Sequence, residues 1–446
     1  MCQTIRSFLA EKKNALYCAG AVFLIFVALA RIVCAELDGM FLTDFSGYCA
    51  NSYALFRGHN PFPDHLEYID IISVETTEGD VASVGGFPAQ MLLFALPGFL
   101  WGNAIQVFWI VLNIAIIFFL TGLTLVKACG YRWNDLWTPG EKQFYYAVCC
   151  FLFLFSQNAM NTMRLGQLPV ILAFLLYGMF WLSPTPVLST LYFALIAAVK
   201  YSVLPVFAPL LFFKGHWKLC IAAFSLFVLF CISPAFCGND LKEVYVGYYQ
   251  AVVRAYQPGS AGHFDTNGVT MCHLGFFKNV AINSFLKAVV ICCVIWLFWR
   301  ERKSGSISDT LLMLALSLTM LISYHQTHDL SLVFPLFFIR FFAFAREKKW
   351  HYLGVEVFFL LILLLPGKLL LIAASFLGGF FPENSFIYLS NRPWGQPYLH
   401  LVPIMAFWSI AFACWNLHLY LHEKRTYLFM IPEPKQNEKT DPADAK

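Results

Sequence analysis

The segment T-D-F-S-G-Y-C-A-N-S-Y-A-L-F-R-G-H-N-P-F-P, Thr43 to Pro63, follows closely on the first apolar run of the chain. Four of its residues recur at i, i+4, i+7 and i+11 and therefore share one face of a short predicted helix: Asp44, Tyr48, Asn51 and Leu55. Gly58 and the pair Asn60-Pro61 are typical of a helix end. A helix with a carboxylate and an aromatic ring on one face is expected to lie along a membrane surface rather than across it.

The carboxylate of Asp44 allows two interpretations. In the first, it caps the helix, because Asp is a preferred N-cap residue and Thr43 before it can share that task. In the second, it is an acid–base group that the long loop after the first apolar run presents to a substrate. The surrounding chain decides between them.

The composition excludes an ordinary soluble enzyme. Apolar residues make up 59% of the 446 and charged residues only 13%, with 47 Phe and 12 Trp, which indicates a polytopic membrane protein. The formal net charge is +4, and the basic residues form short clusters between apolar runs rather than one stripe, so no nucleic-acid partner is expected. In a membrane protein such clusters report orientation.

The basic clusters predict the topology. The loop after the first run carries many acidic residues and Arg57 as its one basic residue, so it is placed outside, whereas the clusters around Lys12, Lys127, Lys214, Arg300 and Arg346 are placed inside. About twelve spans with both termini cytoplasmic satisfy every cluster. The predicted spans are 15–35, 104–126, 144–160, 168–182, 187–199, 205–213, 219–234, 281–299, 310–323, 330–345, 352–365 and 401–421.

The fold class is therefore all-α, with a single integral-membrane domain over residues 1–430. The external loop 36–103 is predicted to hold juxtamembrane helices, since the apolar segment 88–101 is too short to span comfortably. The Pro- and Lys-rich tail 431–446 is predicted to be disordered and cytoplasmic.

The fourteen cysteines show no CxxC motif and no metal-ligand spacing, so most are expected to be small buried apolar residues and no metal site is assigned. Cys237 and Cys272 share one predicted external loop. The sequence leaves open whether these two form a disulfide.

The pattern D-F-x-x-Y-x-x-A-x-x-x-L-x-x-G-x-N-P-F at Asp44 resembles the first external loop of glycosyltransferase family 87. These are membrane enzymes of the glycosyltransferase C superfamily that take sugar from a polyprenyl-phosphate donor. The resemblance implies that Asp44 is the catalytic base. We assign Tyr48, Arg57 and Asn60 of the same loop to substrate binding.

Three later motifs resemble the same family in the expected order. R-L-G-Q at Arg164 to Gln167 resembles its G-Q segment, with Pro169 where Asn is usual, and K-Y-S-V-L-P at Lys200 resembles its K-x-x-P region. Y-H-Q-T-H-D at Tyr324 to Asp329 resembles its external His segment. The residues that the resemblance implies for the donor phosphate are Lys200, Arg164, Gln167, His325 and His328, with Asp329 binding substrate.

Each motif also has a structural interpretation. Gly166 and Pro169 can simply punctuate a helix start, and Lys200 can be a hydrated anchor at the membrane surface. Two His and one Asp fit a metal site on paper, but the resemblance implies phosphate recognition without a metal.

The sequence thus predicts a hexosyltransferase, with mannose as the first candidate sugar, acting on a lipid-linked or glycan acceptor at the external face of a bacterial inner membrane. A cell-envelope mannosyltransferase of this kind needs the polyprenyl-phosphate sugar as donor and no further cofactor. The alternatives are a secondary transporter, which predicts inverted repeats and broken helices at mid-membrane, and a non-catalytic membrane partner of a glycan-assembly pathway.

Overall fold

The computed structural model describes residues 2–37, 42–62, 87–255, 280–303, 306–322, 327–364, 401–423 and 427–431. These residues are almost entirely helical, as predicted. The helices are α1 Cys2–Leu37, α2 Thr43–Phe56, α3 Met91–Phe99, α4 Asn103–Ala128, α5 Trp133–Trp137, α6 Glu141–Phe155, α7 Gln157–Leu165, α8 Pro169–Trp181, α9 Pro186–Val199, α10 Leu204–Phe213, α11 Trp217–Ile232, α12 Leu241–Ala255, α13 Val280–Arg300, α14 Asp309–Ile322, α15 Phe334–Arg346, α16 Trp350–Leu364 and α17 Leu401–His422.

Short elements connect several of these helices. Four 3₁₀ turns cover Pro88–Gln90, Tyr201–Val203, Ser233–Cys237 and Thr327–Val333. The strands β1 Ile307–Ser308 and β2 Leu428–Phe429 pair antiparallel, with Ile307 opposite Phe429. This small ribbon was not predicted, because two-residue strands have no periodicity to read. The tail after Ile431 lies outside the described residues.

The predicted count of about twelve spans is not confirmed. By length and composition, three helices within the described residues can cross a membrane: Lys12–Cys34, Asn103–Ala128 and Trp217–Cys237. The pair Pro186–Val199 and Tyr201–Phe213, bent by 108°, makes a fourth if it counts as one span. Other apolar helices are shorter, and α8 is buried along nearly its whole length. A helix enclosed by other helices need not match the bilayer thickness alone.

Two predicted spans are broken by local chemistry. The span 144–160 ends at Phe155, where the hydroxyl of Ser156 accepts a hydrogen bond from Ala159 N at 3.1 Å and starts α7. The span 330–345 begins instead as the 3₁₀ turn Thr327–Val333, and α15 starts one residue before Pro335. The break at Lys200 lies where the sequence predicted a change of direction.

The basic clusters meet at one end of the bundle. Lys214 Nζ lies 3.4 Å from a carboxylate oxygen of Glu301, and the Tyr420 hydroxyl donates to the other oxygen at 2.6 Å. Lys349 pairs with Glu423 at the start of the C-terminal segment. Tyr131, beside the cluster after α4, packs against Phe342 of α15 at a ring separation of 5.7 Å. The shared end agrees with the predicted alternation of the spans.

Side chains inside the bundle join its helices by packing and polar contacts, since lipid provides no hydrophobic drive for helix association. Phe153 stacks on Phe334 with ring centroids 4.4 Å apart, which joins α6 to α15. Arg340 of α15 donates to Glu356 of α16 at 3.0 Å and to Asn416 of α17 at 2.5 Å. All three of these polar side chains are buried.

At the end of the bundle opposite the basic clusters, the segment predicted as the first external loop folds back on itself. Helix α3 lies so close to α2 that a Cβ on Gly98 would stand 2.6 Å from the Cys49 carbonyl oxygen. Asn239 donates to the Leu55 carbonyl at 2.6 Å, and α12 adds Val244 to a small core with Leu55 and Met91. The segment 236–280, predicted as an external loop, thus contributes the helix α12, which the sequence did not predict.

Whether Cys237 and Cys272 form a disulfide is not tested, because only one of the two cysteines is described. Cys237 is a free thiol, and Cys272 lies outside the described residues.

Candidate active site at the ends of α2, α7 and α9

Asp44 lies in the first turn of α2 but does not cap it. The N-cap residue is Leu42, with φ at 46°, and no side chain accepts a capping hydrogen bond there. The capping interpretation of Asp44 is therefore wrong. Its carboxylate is directed at another part of the chain.

Gln167 joins Asp44 to Tyr48. The Gln167 amide Nε2 donates to Asp44 Oδ2, and the Tyr48 hydroxyl donates to Gln167 Oε1 at 3.2 Å. The two α2 residues are one turn apart, so the face predicted from their spacing is confirmed where it meets α7. One amide thereby orients the carboxylate of Asp44 and also accepts the hydrogen bond of the Tyr48 hydroxyl.

Enclosure changes the acidity of both groups. Burial raises the pKa of Asp44 to about 6, and the hydrogen bond from Gln167 acts in the opposite direction. Burial raises the pKa of Tyr48 well above its usual value, and the charges of Asp44 and Asp329 raise it further. Asp44 therefore changes charge close to neutral pH, where a general base is most useful.

Gly166 brings α2 and α7 this close. Its φ is 71°, and a Cβ built there would overlap the Cβ of Phe45, the residue next to Asp44. Phe45 is itself held by stacking on Trp109 with ring centroids 4.0 Å apart. Glycine thus serves both the left-handed turn and the close contact.

Gly166→Ala is expected to lower the free energy of unfolding by about 1–3 kcal/mol more than Gly130→Ala does. Gly130 is the matched control, since its φ is 78° but a Cβ there meets nothing within 4 Å. Both variants carry the cost of the left-handed backbone, and only the first adds the clash with α2. Denaturant unfolding of the purified proteins measures the difference. Equal losses for both variants would contradict the close contact.

Lys200 and Asp329 form an ion pair at the end of α9. The lysine side chain is 21% exposed and the aspartate side chain is fully buried. Asp329 lies near enough to Tyr48 for its charge to act on the phenol, so the pair adjoins the Asp44 group. Lys200 is therefore held in place by a buried carboxylate.

Gln90 is a site residue that the sequence did not predict. It is buried, and its Nε2 donates to the Val199 carbonyl at 2.8 Å, next to Lys200. The available signal was an uncharged polar residue inside the otherwise apolar segment 87–99.

Two predicted substrate-binding residues stand apart from this cluster. Arg57 stacks on and donates to Tyr53, with 2.9 Å from Nη2 to the hydroxyl, and Asn60 accepts from Phe62 N at 3.3 Å. Arg57 follows Asp44 by thirteen residues of helix, about 20 Å along the axis. The structure therefore brings Tyr48 to Asp44 through Gln167 and Asp329 close to Tyr48, whereas Arg57 and Asn60 lie away from this group.

The other residues predicted to bind the donor, Arg164, His325 and His328, lie partly or wholly outside the described residues. The backbones of α7 and of the turn Thr327–Val333 are described, whereas the side chains of Arg164 and His328 and the whole of His325 lie outside the described residues. In the part of the chain that is described, no three His, Cys, Asp or Glu side chains group as metal ligands.

Comparison with known families bears on the class of enzyme rather than on the roles of single residues. The model of glycosyltransferase family 87 matches residues 88–324, more than half of the chain. The chain belongs to glycosyltransferase family 87. It is therefore a membrane glycosyltransferase, and its substrates are lipids or glycans. A search of curated proteins and a search of solved structures each give no match.

The family match covers only part of the cluster. It includes Gln90, Gln167 and Lys200, and it starts after Asp44 and ends before Asp329. Asp44 is nevertheless connected to the matched region of the glycosyltransferase by its hydrogen bond with Gln167, and Asp329 is connected to it by its ion pair with Lys200. These contacts are what make Asp44 a candidate for the family's chemistry.

Proposed function

We propose that this glycosyltransferase moves a hexose, with mannose as the first candidate, from a polyprenyl-phosphate donor to a lipid-linked or glycan acceptor at the external face. The observation that carries the proposal is the cluster itself. A carboxylate with a pKa of about 6 is joined through Gln167 to Tyr48, and the charge of Asp329, the ion-pair partner of Lys200, acts on Tyr48. Nucleotide sugars are cytosolic, so a site facing outward requires a donor whose lipid carries the sugar across.

In the proposed reaction, Asp44 takes the proton of the acceptor hydroxyl as that oxygen bonds to the anomeric carbon of the sugar. The bond from that carbon to the donor phosphate breaks, and its electron pair leaves with the phosphate. Lys200 stabilises the departing phosphate. Because Lys200 is paired with Asp329, the phosphate competes with this carboxylate for the ammonium group.

A small apolar cavity of about 10 Å³ lies near the ion pair, which is room for about one water molecule and not for a prenyl tail. It lies among α8, α9, α10 and α14, one turn below Lys200, and its lining contains no polar side chain. The lining residues are Leu172, Leu176, Ile196, Val203, Phe207, Leu316 and Leu332.

The rate of transfer is expected to rise with pH and level off above about 7. Below the Asp44 pKa of about 6 the base is protonated, so the rate falls roughly tenfold for each further pH unit. Gln167→Leu removes a hydrogen bond that lowers this pKa and should move the acid limb upwards. A pH profile of kcat/KM measures both effects. An acid limb that stays at the same pH in Gln167→Leu would contradict the assignment to Asp44.

We also propose that the end with the basic clusters faces the cytoplasm, together with both termini, on the positive-inside rule. Single cysteines placed at His59 and at Lys218, both exposed, test this in a cysteine-free background. An impermeant thiol reagent added to intact bacterial cells should label position 59 and not 218. The reverse pattern would overturn the orientation.

Mass spectrometry of lipid-linked glycans with and without the glycosyltransferase tests the proposed function in cells. The expected result is the loss of a species one hexose heavier than its precursor. An unchanged set of lipid-linked glycans would contradict it.

A further inference from the structure

Two buried amide side chains near Asp44 have polar atoms without a protein partner in the described residues. Asn51 is 1% exposed, and neither its Nδ2 nor its Oδ1 has a hydrogen-bond partner there. Gln90 is 5% exposed, and its Oε1 has none either, although its Nε2 is bonded to Val199. Buried polar atoms are usually paired, because an unpaired one has lost its hydrogen bonds to water without gaining others.

The positions of the two amides relate them to the reacting groups. Asn51 follows Asp44 by two helical turns on the same face of α2. One turn beyond it, Leu55 belongs to the small core that also contains Met91, the residue after Gln90. The turn Pro88–Gln90 therefore lies beside the face of α2 that carries Asn51. Gln90 of this turn also donates to the Val199 carbonyl, next to Lys200.

The chemistry of an amide pair suits sugar hydroxyls. An amide offers both a donor and an acceptor, which is what a hydroxyl or two neighbouring hydroxyls require. Hydrogen bonds formed away from water are stronger than those at the surface. A site built from such bonds therefore discriminates strongly against a sugar analogue that lacks the hydroxyl. A phosphate would instead be bound by charged side chains, and in the proposed reaction Lys200 is the residue that binds it.

We propose that Asn51 and Gln90 form a hydroxyl-binding subsite where two sugar rings meet, with Asn51 binding the acceptor sugar and Gln90 the donor sugar. This inference rests on the proposed function and adds to it which residues recognise the sugar. Both amides are enclosed in this structure, so the proposal requires the turn Pro88–Gln90 to move away from α2 when a sugar binds. Asn51 shares a helix with the base and so contacts the acceptor sugar, and Gln90 adjoins Lys200 and so contacts the donor sugar.

The test uses Asn51→Leu and Gln90→Met in the purified full chain, with Asn113→Leu as control. Asn113 of α4 is another buried amide, with Oδ1 lacking a partner among the described residues and Nδ2 bonded to the Trp109 carbonyl at 2.8 Å. Asn51→Leu should leave the unfolding temperature unchanged or raise it, since it removes an unpaired amide. It should raise the KM for the acceptor by roughly tenfold to a hundredfold.

Gln90→Met should act on the KM for the donor instead, by a similar factor. Asn113→Leu should change neither constant. If Asn51→Leu and Gln90→Met both keep the parental constants while the parental protein transfers sugar, the subsite is overturned and the proposed function stands. A lowered unfolding temperature with parental constants would likewise show that these amides are structural.

A binding measurement separates the subsite from the transfer reaction. Methyl α-mannoside at high concentration should raise the unfolding temperature of the parental protein and not that of Asn51→Leu. If this difference is found in a protein that does not transfer sugar, the subsite stands and the proposed function fails. If methyl α-mannoside shifts both proteins equally, the subsite is overturned.

Discussion

Asp44→Asn is expected to slow sugar transfer at least roughly a hundredfold while the protein folds and binds its donor normally. A general base contributes on the order of 10²–10⁴-fold to rate, and the amide of Asn has no basic oxygen to offer. Asn has the shape of Asp, and its Oδ1 can still accept the hydrogen bond that Gln167 donates. The loss should therefore fall on kcat rather than on the KM for the donor.

Asp240→Asn provides the matched control for this variant. Asp240 is a true capping residue in the same external region, since its Oδ1 accepts from Lys242 N at 2.7 Å and from Glu243 N at 3.2 Å. Asn caps a helix almost as well as Asp, so Asp240→Asn should keep the parental rate. Parental transfer by Asp44→Asn, with donor binding intact, would contradict the assignment of Asp44 as the base.

Lys200→Met is expected to have two separable effects. It removes the cation that stabilises the donor phosphate, which should lower kcat/KM for the donor on the order of a hundredfold. It also leaves the fully buried carboxylate of Asp329 without its ion-pair partner, which costs about 3–5 kcal/mol of stability.

The double variant Lys200→Met with Asp329→Asn separates these effects. Replacing the carboxylate by an amide removes the buried charge that Lys200 no longer neutralises, so most of the lost stability should return. The defect in donor use should remain, because the ammonium group is still absent. Donor titration and denaturant unfolding of the same three proteins measure both quantities. If the double variant regains parental donor kinetics, Lys200 is a structural anchor and does not bind phosphate.

The helices could be predicted largely from the sequence, because long apolar runs and basic clusters dominate their placement. The predicted span 104–126 lies within α4, and the predicted change of direction at Lys200 is the observed bend of 108°. The breaks at Ser156 and before α15 were missed. Each depends on a capping hydroxyl or a short 3₁₀ turn inside an apolar run, which hydropathy does not register.

The candidate site was less predictable than the helices. The spacing of Asp44 and Tyr48 indicated a shared face, but their common partner Gln167 lies more than a hundred residues away in the chain. Gln90 and α12 were missed because their importance arises only from tertiary contacts. Arg57 and Asn60 were assigned from their proximity in sequence, and one straight helix is enough to carry them away from Asp44.

The most direct test of the account is the initial rate of transfer by the purified protein in lipid bilayers, with donor class as the only variable. A set of polyprenyl-phosphate hexoses is compared with the corresponding nucleotide-linked hexoses, using extracted membrane lipids as acceptor. The account predicts transfer from a polyprenyl-phosphate hexose and none from any nucleotide sugar. Transfer from a nucleotide sugar, with every polyprenyl-phosphate hexose inert, would contradict it.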